Sequence, residues 1–227
     1  MAIAEDATSS ATASSSSSLT FSHTCTGSER LLLVAVSHVV IFDDVPGTQS
    51  VTYNGVSMTS IASTNISTGF GRVLTQLFRL VAPATGAHDI VVTFSKTAYL
   101  GPTCAISYTG VDQTTPVDTG STDNDATGGT SIVISSASGD LVLDCYGLGV
   151  SNVSEAVGAD QTVEVSTDTG MGLYISSEPG GASITMSWSN TDNGPANQVA
   201  VNINAASGGG GTAVKDIIGG GIIAFAR

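Results

Sequence analysis

Leu31-Leu-Leu-Val-Ala-Val-Ser-His-Val-Val-Ile-Phe42 is the stretch that decides the fold. It is a nearly continuous apolar run of strand length, which predicts a central β-strand buried on both faces. Its surroundings agree. Upstream, Leu19, Phe21 and His23 alternate with Thr20, Ser22 and Thr24. Downstream, Val51–Tyr53 and Val56–Ile61 flank Asn54-Gly55, the pair that supplies the two positive-φ residues of a type I′ hairpin turn. Further strand patterns fall at 72–81, 89–95 and 103–109, with Pro83 and Gly86 turning the chain between the first two.

Residues 110–130 read as a long polar loop, and strand patterns then resume at 131–136, 140–148, 161–167, 171–177, 182–189 and 197–204. Leu141, Leu143 and Cys145 share one face, as do Ile184, Met186 and Trp188, and Val199, Val201 and Ile203. No window before residue 205 has capped helical periodicity. Roughly eleven to twelve strands, with no helices to cover a parallel sheet, predict an all-β chain: an antiparallel, jelly-roll-like β-sandwich over 19–206.

Both flanks differ from this domain. Residues 1–18, nearly all Ala, Ser and Thr from 7 onward, read as a flexible arm. Residues 207–227 carry a Gly-rich linker and then Thr212-Ala-Val-Lys-Asp-Ile-Ile-Gly-Gly-Gly-Ile-Ile-Ala-Phe-Ala-Arg227. Ile217, Ile218, Ile222, Ile223 and Phe225 form an apolar payload on a tether, expected to dock on the chain's own domain or on a neighbouring subunit.

The balance of 6 basic and 19 acidic residues sets a net charge of -13, which repels phosphate backbones, and the few cations form no patch; nucleic acid is not expected as a partner. The chain opens Met-Ala-Ile-Ala-Glu-Asp, without the basic and apolar regions of a secretory signal, and has no apolar run long enough for a membrane helix. A surface-type composition without an export signal fits a virion protein, released by lysis, or a chain whose signal has been removed.

The residues that carry chemistry are sparse. Cys25, Cys104 and Cys145 are too far apart in sequence for a close-spaced zinc motif; they read as buried small hydrophobes, with one disulfide plus a free thiol as the alternative. His23, His38 and His88 lack metal-ligand spacing, and no Gly-x-Ser-x-Gly elbow marks a nucleophilic serine. Glu164 and Glu178 would form a glycosidase pair only by coincidence of folding, and Trp188 continues a buried alternation. No catalytic residue is assigned. Asp123-Asn-Asp-Ala-Thr-Gly128 resembles the first half of a calcium loop, but Ile134 stands where an EF-hand needs Glu. Asp118, Asp123 and Asp125 are the candidate calcium ligands, with Asp43 and Asp44 as further contributors, against a solvated Asx-rich turn. No other cofactor is expected.

Five segments in this order resemble a widespread β-sandwich module of bacterial surface proteins and tailed-phage virion proteins. They are Ser18-Leu-Thr-Phe-Ser-His-Thr-Cys-Thr-Gly-Ser-Glu-Arg-Leu-Leu-Leu-Val34, Val51-Thr-Tyr-Asn-Gly-Val-Ser-Met-Thr59, Leu77-Phe-Arg-Leu-Val-Ala-Pro-Ala-Thr-Gly-Ala-His-Asp-Ile-Val-Val-Thr-Phe94, Ser107-Tyr-Thr-Gly-Val-Asp-Gln-Thr-Thr-Pro116 and Ser177-Glu-Pro-Gly-Gly-Ala-Ser-Ile-Thr-Met-Ser-Trp188. The resemblance spans residues 18–204, and the two termini resemble phage versions. It implies a non-catalytic structural virion protein of the capsid-decoration, head-fibre or tail-associated type, forming homo-oligomers and docking on other virion proteins, the capsid above all. The rival expectation is a carbohydrate-binding or adhesive module that presents a glycan site on loops such as 110–130, with or without calcium.

Overall fold

A computed structural model of the chain describes residues 2–41, 49–69, 71–149, 154–168, 171–191 and 194–207. Fifteen strands and no helix occur among them. The first half holds β1 Ala4–Cys25, β2 Leu31–Ile41, β3 Ser50–Tyr53, β4 Val56–Ser57, β5 Thr59–Ser67, β6 Gly71–Val81 and β7 Gly86–Thr109. The second holds β8 Ser121–Asp125, β9 Thr130–Ile134, β10 Leu141–Leu148, β11 Glu155–Val157, β12 Thr162–Asp168, β13 Gly172–Pro179, β14 Ile184–Asn190 and β15 Ala196–Ile203. Every pairing between them is antiparallel, as an all-β chain without crossover helices requires.

The first sheet runs β4-β3-β7-β2-β6-β5, with β1 along the other edge of β7. At 24 residues, β7 is long enough to serve two partners on one edge: Ile90–Thr93 pair with β3, and residues 100–108 pair with β2. Between these halves the register with β1 jumps from Ser18↔Thr93 to Ser16↔Ala98, and Ser15 takes a φ of 49° at the bend. The bend folds the sheet over itself. Ile90, Val92, Val51 and Tyr53 from its outer part thereby pack on Leu32, Val34, Val36 and Phe78 from its inner part. Gly101 sits beside the ring of Phe94 at this fold, where a Cβ would collide with the ring.

The second sheet, β12-β13-β10-β15-β8, packs against the inner part of the first. Leu31, Leu33 and Ala35 meet Leu143, Cys145, Leu173, Ile175, Val199, Val201 and Ile203 there. A third sheet, β11-β14-β9, covers the outer face of the second through Ile132, Ile134, Ile184, Met186 and Trp188. The continuous apolar run of β2 now has its cause: odd-numbered residues face the second sheet and even-numbered ones face the fold-over. Burial on both faces also makes β10 and β15 buried nearly throughout.

The hairpin at Asn54-Gly55 forms as expected, with φ of 49° and 74°. Three expectations need correction. Residues 4–18 are not a free arm but the first part of β1, paired in register with β7 from Ala4↔Thr109 to Ser18↔Thr93. The edge of β7 needs hydrogen-bond partners, and small Ser and Thr side chains permit an extended chain to supply them. The patterns at 89–95 and 103–109 belong to one bent strand. The polar loop 110–130 contains β8, which pairs with β15. The segment carrying Ile217, Ile218, Ile222, Ile223 and Phe225 lies outside the described residues, as do Asp43 and Asp44.

Candidate functional site

One end of the domain concentrates polar loops, a groove and the exit of the chain. Val111 bridges Ala205, and the Ala206 amide donates to the Gly110 carbonyl at 2.8 Å. Ala4 pairs with Thr109 alongside, so residues 2–4 and 205–206 meet around Gly110. The segment 112–118 is fastened to the same place: Asn204 donates its backbone amide to Pro116 and its side-chain Nδ2 to Thr115 and Asp118.

Beside this exit lies a groove of about 710 Å³, lined among others by Arg79, Thr115, Asp118, Ser121, Val133 and Asn202. A smaller recess of about 210 Å³ shares Arg79 and Asp118 with it. The wall is braced. Asn202 Nδ2 donates to Asp118 at 3.2 Å and Asp140 at 3.1 Å, and its Oδ1 accepts from Ser136 at 2.6 Å. The Arg79 side chain, half-buried on β6, lines the groove, and no hydrogen bond or ion pair from another described residue engages its guanidinium. Hydroxyls, an amide, a carboxylate and a free guanidinium around small apolar surfaces can take a hydroxyl-rich or anionic ligand.

The three candidate calcium ligands are not brought together. Asp118 is held by Asn202 and Asn204 in the groove wall. Asp123 accepts from the amides of Asn124 at 2.8 Å and Ser131 at 2.9 Å, and Asp125 from the amide and hydroxyl of Thr127, both at 2.5 Å. The calcium-loop reading is corrected here. Residues 121–125 are an extended strand, which cannot wrap an ion as a coiled loop does, and the Asp123 and Asp125 carboxylates accept from backbone amides while Asp118 accepts from two side-chain amides. Among the described residues no group of three or more His, Cys, Asp or Glu side chains is placed to hold a metal.

A serine, a histidine and an aspartate do converge, from positions too distant in sequence to be read as a set. His23 Nε2 lies 3.1 Å from Ser107 Oγ, whose hydroxyl donates to Asp6 Oδ2 at 2.9 Å. The order is wrong for a charge-relay triad, in which histidine stands between the other two. Here the serine proton is committed to the aspartate, and Ser107 and His23 are buried. Burial pushes Asp6 up, but hydrogen bonds from Thr26 and Ser107 and the nearby His23 outweigh it and hold the carboxyl low. Burial pushes His23 down to about 4 despite Asp6, leaving it neutral. His38 is likewise pushed to about 4 by burial, and its Nδ1 pairs with Gln49 at 2.8 Å. The trio ties β1 to β7.

The cysteines are all free and buried. Cys104 is pushed up to about 12 by burial, and Cys145 and Cys25 are raised for the same reason. Trp188 is core, stacked on Tyr146 with centroids 4.9 Å apart and planes 2° from parallel. Glu178 does not face Glu164: burial and Asp160 raise it, while Glu164 accepts from Ser177 and neighbours Glu5.

No protein family, no curated protein and no solved structure matched the chain when it was compared with known proteins.

Proposed function

We propose that this jelly-roll-like β-sandwich is a non-catalytic structural protein of a tailed-phage virion, of the capsid-decoration or fibre type, acting by self-assembly and docking on the particle. The observation that carries the reading is the exit of the chain at Ala205–Ala206, beside the Gly110 loop and the groove. An apolar segment on a Gly-rich tether, following the last strand in sequence, suits a docking element for a neighbouring subunit or the capsid. Since β1 is part of the sheet, the docking role falls on the C-terminal segment.

The test is truncation after Ser207. The shortened chain is expected to keep its β spectrum and melting transition while losing oligomerisation and particle binding. Assembly at the level of the full chain overturns the reading.

The groove favours a second reading, a carbohydrate-binding or adhesive module. Glycan-array binding that falls at least tenfold in Arg79→Gln supports it, and an array without hits, with and without calcium, removes it.

A further inference from the structure

We infer that the free edge of β9 at Val133, with the groove beside it, receives residues 221–226 of a second copy of this chain as an added β-strand. The inference rests on the reading of the C-terminal segment as an assembly element, and it names the receiver of that segment.

An unpaired sheet edge is a template for another strand, and most edges of this domain are occupied or very short. β12 lies against β1 through Thr12 and Thr167, whose hydroxyls are 2.8 Å apart, and through Ser10, which donates to the Ser166 carbonyl. β8 meets β5 where Asn124 Nδ2 donates to Thr64 Oγ1 at 3.1 Å. β4 and β11 are only two and three residues long. β9 differs: it forms one border of the third sheet, and β14 is its one strand partner among the described residues. Which of its groups face outward follows from the ladder. The Ser131 amide donates to Asp123 at 2.9 Å. On the partner strand, the Ser187 amide donates to Gln161 at 2.7 Å and its carbonyl accepts from the Gly158 amide at 2.8 Å. Ser131 and Ser187 are therefore a pair that exchanges no backbone hydrogen bonds, and so, two residues on, are Val133 and Thr185. The amide and carbonyl of Val133 consequently point away from β14, to the free edge.

That edge borders the groove of about 710 Å³, which residues 114–119 also line. Val133 is 63% exposed, and with Pro116, Val117 and Ile134 it gives the groove apolar ground. Strand addition needs outward backbone groups and apolar surface for alternate side chains, and both are present. The occupant follows from where the described chain stops. Asn204 donates to Thr115 and Asp118 of the groove wall at 2.7 and 3.0 Å, so the chain leaves the domain at the rim of the groove. Ten residues, 207–216, then precede Ile217, a length that spans at most about 35 Å. Beyond Gly219-Gly-Gly221 comes Ile222-Ile-Ala-Phe-Ala226, uncharged, without proline and rich in the β-branched and aromatic residues that suit a paired strand. Added at the edge, its Ile and Phe side chains become cross-strand neighbours of Val133. Each copy carries one such segment and one such edge. Exchange between copies pairs both and withdraws the apolar segment from water, whereas a segment folded back on its own groove would join nothing.

The test uses the full chain. Val133→Pro removes the outward donor without breaking a bond to β14, and proline is tolerated at such a position of an edge strand. The variant is expected to keep the β spectrum of the wild type while its self-association, read by sedimentation, weakens by about tenfold or more, because strand addition draws its affinity from main-chain pairing. Should it fail to fold, Val133→Lys replaces it, a charge at an exposed edge that opposes strand addition. Which copy supplies the strand is read with a short bismaleimide on a chain carrying both Val133→Cys and Ala224→Cys, the three native thiols being buried. Links joining separate chains are expected. Links that close within one chain, no link at all, or a full chain that stays monomeric overturn the assignment. So does undiminished self-association in the folded Val133 variant. If truncation after Ser207 then still abolishes assembly, the segment docks elsewhere and only the β9 site falls. If truncation leaves assembly intact, the reading of the segment as an assembly element falls with it.

Discussion

The indole Nε1 of Trp188 donates a 2.8 Å hydrogen bond to Oδ2 of Asp144, joining the third sheet to the second through a carboxylate with no exposed surface. Gln198 Nε2 donates to the same oxygen at 2.6 Å and Ser176 to the other at 2.5 Å, while Gln161 extends the chain to Ser176 and to the Ser187 amide. Burial of this size is tolerated because three donors converge on an acceptor-only group.

That carboxylate makes stability depend on pH in a direction opposite to most acidic residues. Burial, only partly offset by Ser176, Gln198 and Trp188, raises Asp144 from 3.8 to about 6. The folded state therefore binds the proton more tightly than the unfolded state, and the contribution of this group to stability grows as pH falls from 6 towards 4. The full effect is about 3 kcal/mol. His23 and His38, lowered from 6.5 to about 4, run the other way and cost stability over the same window. Comparing wild type with Asp144→Asn cancels the histidines. Urea midpoints at pH 4.5 and 7.5 should show the wild type gaining relative to the variant at the lower pH. Parallel shifts would remove the ionisable carboxylate as the cause.

The Asn54-Gly55 turn makes a smaller, local prediction. Gly55 has open space around the position of a Cβ but a φ of 74°, so Gly55→Ala meets strain without a clash. The expected loss is about 1 kcal/mol, a fall of roughly 2–4 °C in melting temperature. Gly101→Ala should cost more, because there the obstacle is the Phe94 ring. Equal losses at the two positions would mean that the Phe94 ring yields to the added methyl at little cost.

The thiols make a third. Cys25, Cys104 and Cys145 are buried and their thiolates disfavoured, so a thiol reagent at pH 8 should label none of them in the native state and three after unfolding in urea. Fast labelling of any one in the folded protein would contradict its place in the core.

How much of this was legible in the sequence depends on whether neighbours in the chain carried the signal. The double burial of Leu31–Val40, the hairpin and the core position of Trp188 are local patterns, and the structure matches them. The third sheet and the fold-over of β7 arise from pairings such as Trp188↔Thr130 and Val51↔Val92, which periodicity does not specify. The Asp6–Ser107–His23 trio joins β1 to a serine 101 positions from Asp6 and 84 from His23, and only register brings them together. Asp123 and Asp125 misled for the opposite reason: their spacing mimics a metal loop, but β15 offered the segment a strand to pair with. The same competition explains the N-terminus, where low hydrophobicity suggested disorder and the unpaired edge of β7 decided otherwise.

The last prediction follows from that edge. Were residues 2–14 a dispensable arm, deleting them would leave the melting temperature unchanged. In the structure they supply every partner on one side of Leu100–Thr109, the strand segment at the centre of the inter-sheet core. They also bring Asp6 to Ser107 and Thr26, and Thr12 to Thr167. Deletion exposes a long row of unsatisfied backbone groups beside Cys104 and Ile106, an edge that will pair with whatever strand is offered. The expected result is a fall of roughly 10 °C or more in melting temperature together with aggregation at micromolar concentration. A synthetic peptide of residues 4–14 added during refolding should restore soluble protein, because the lost element is chiefly backbone pairing. A scrambled Ser/Ala/Thr peptide that rescues equally well would show that the edge needs any extended chain rather than this one, and a deletion with unchanged melting would return residues 4–14 to the status of an arm.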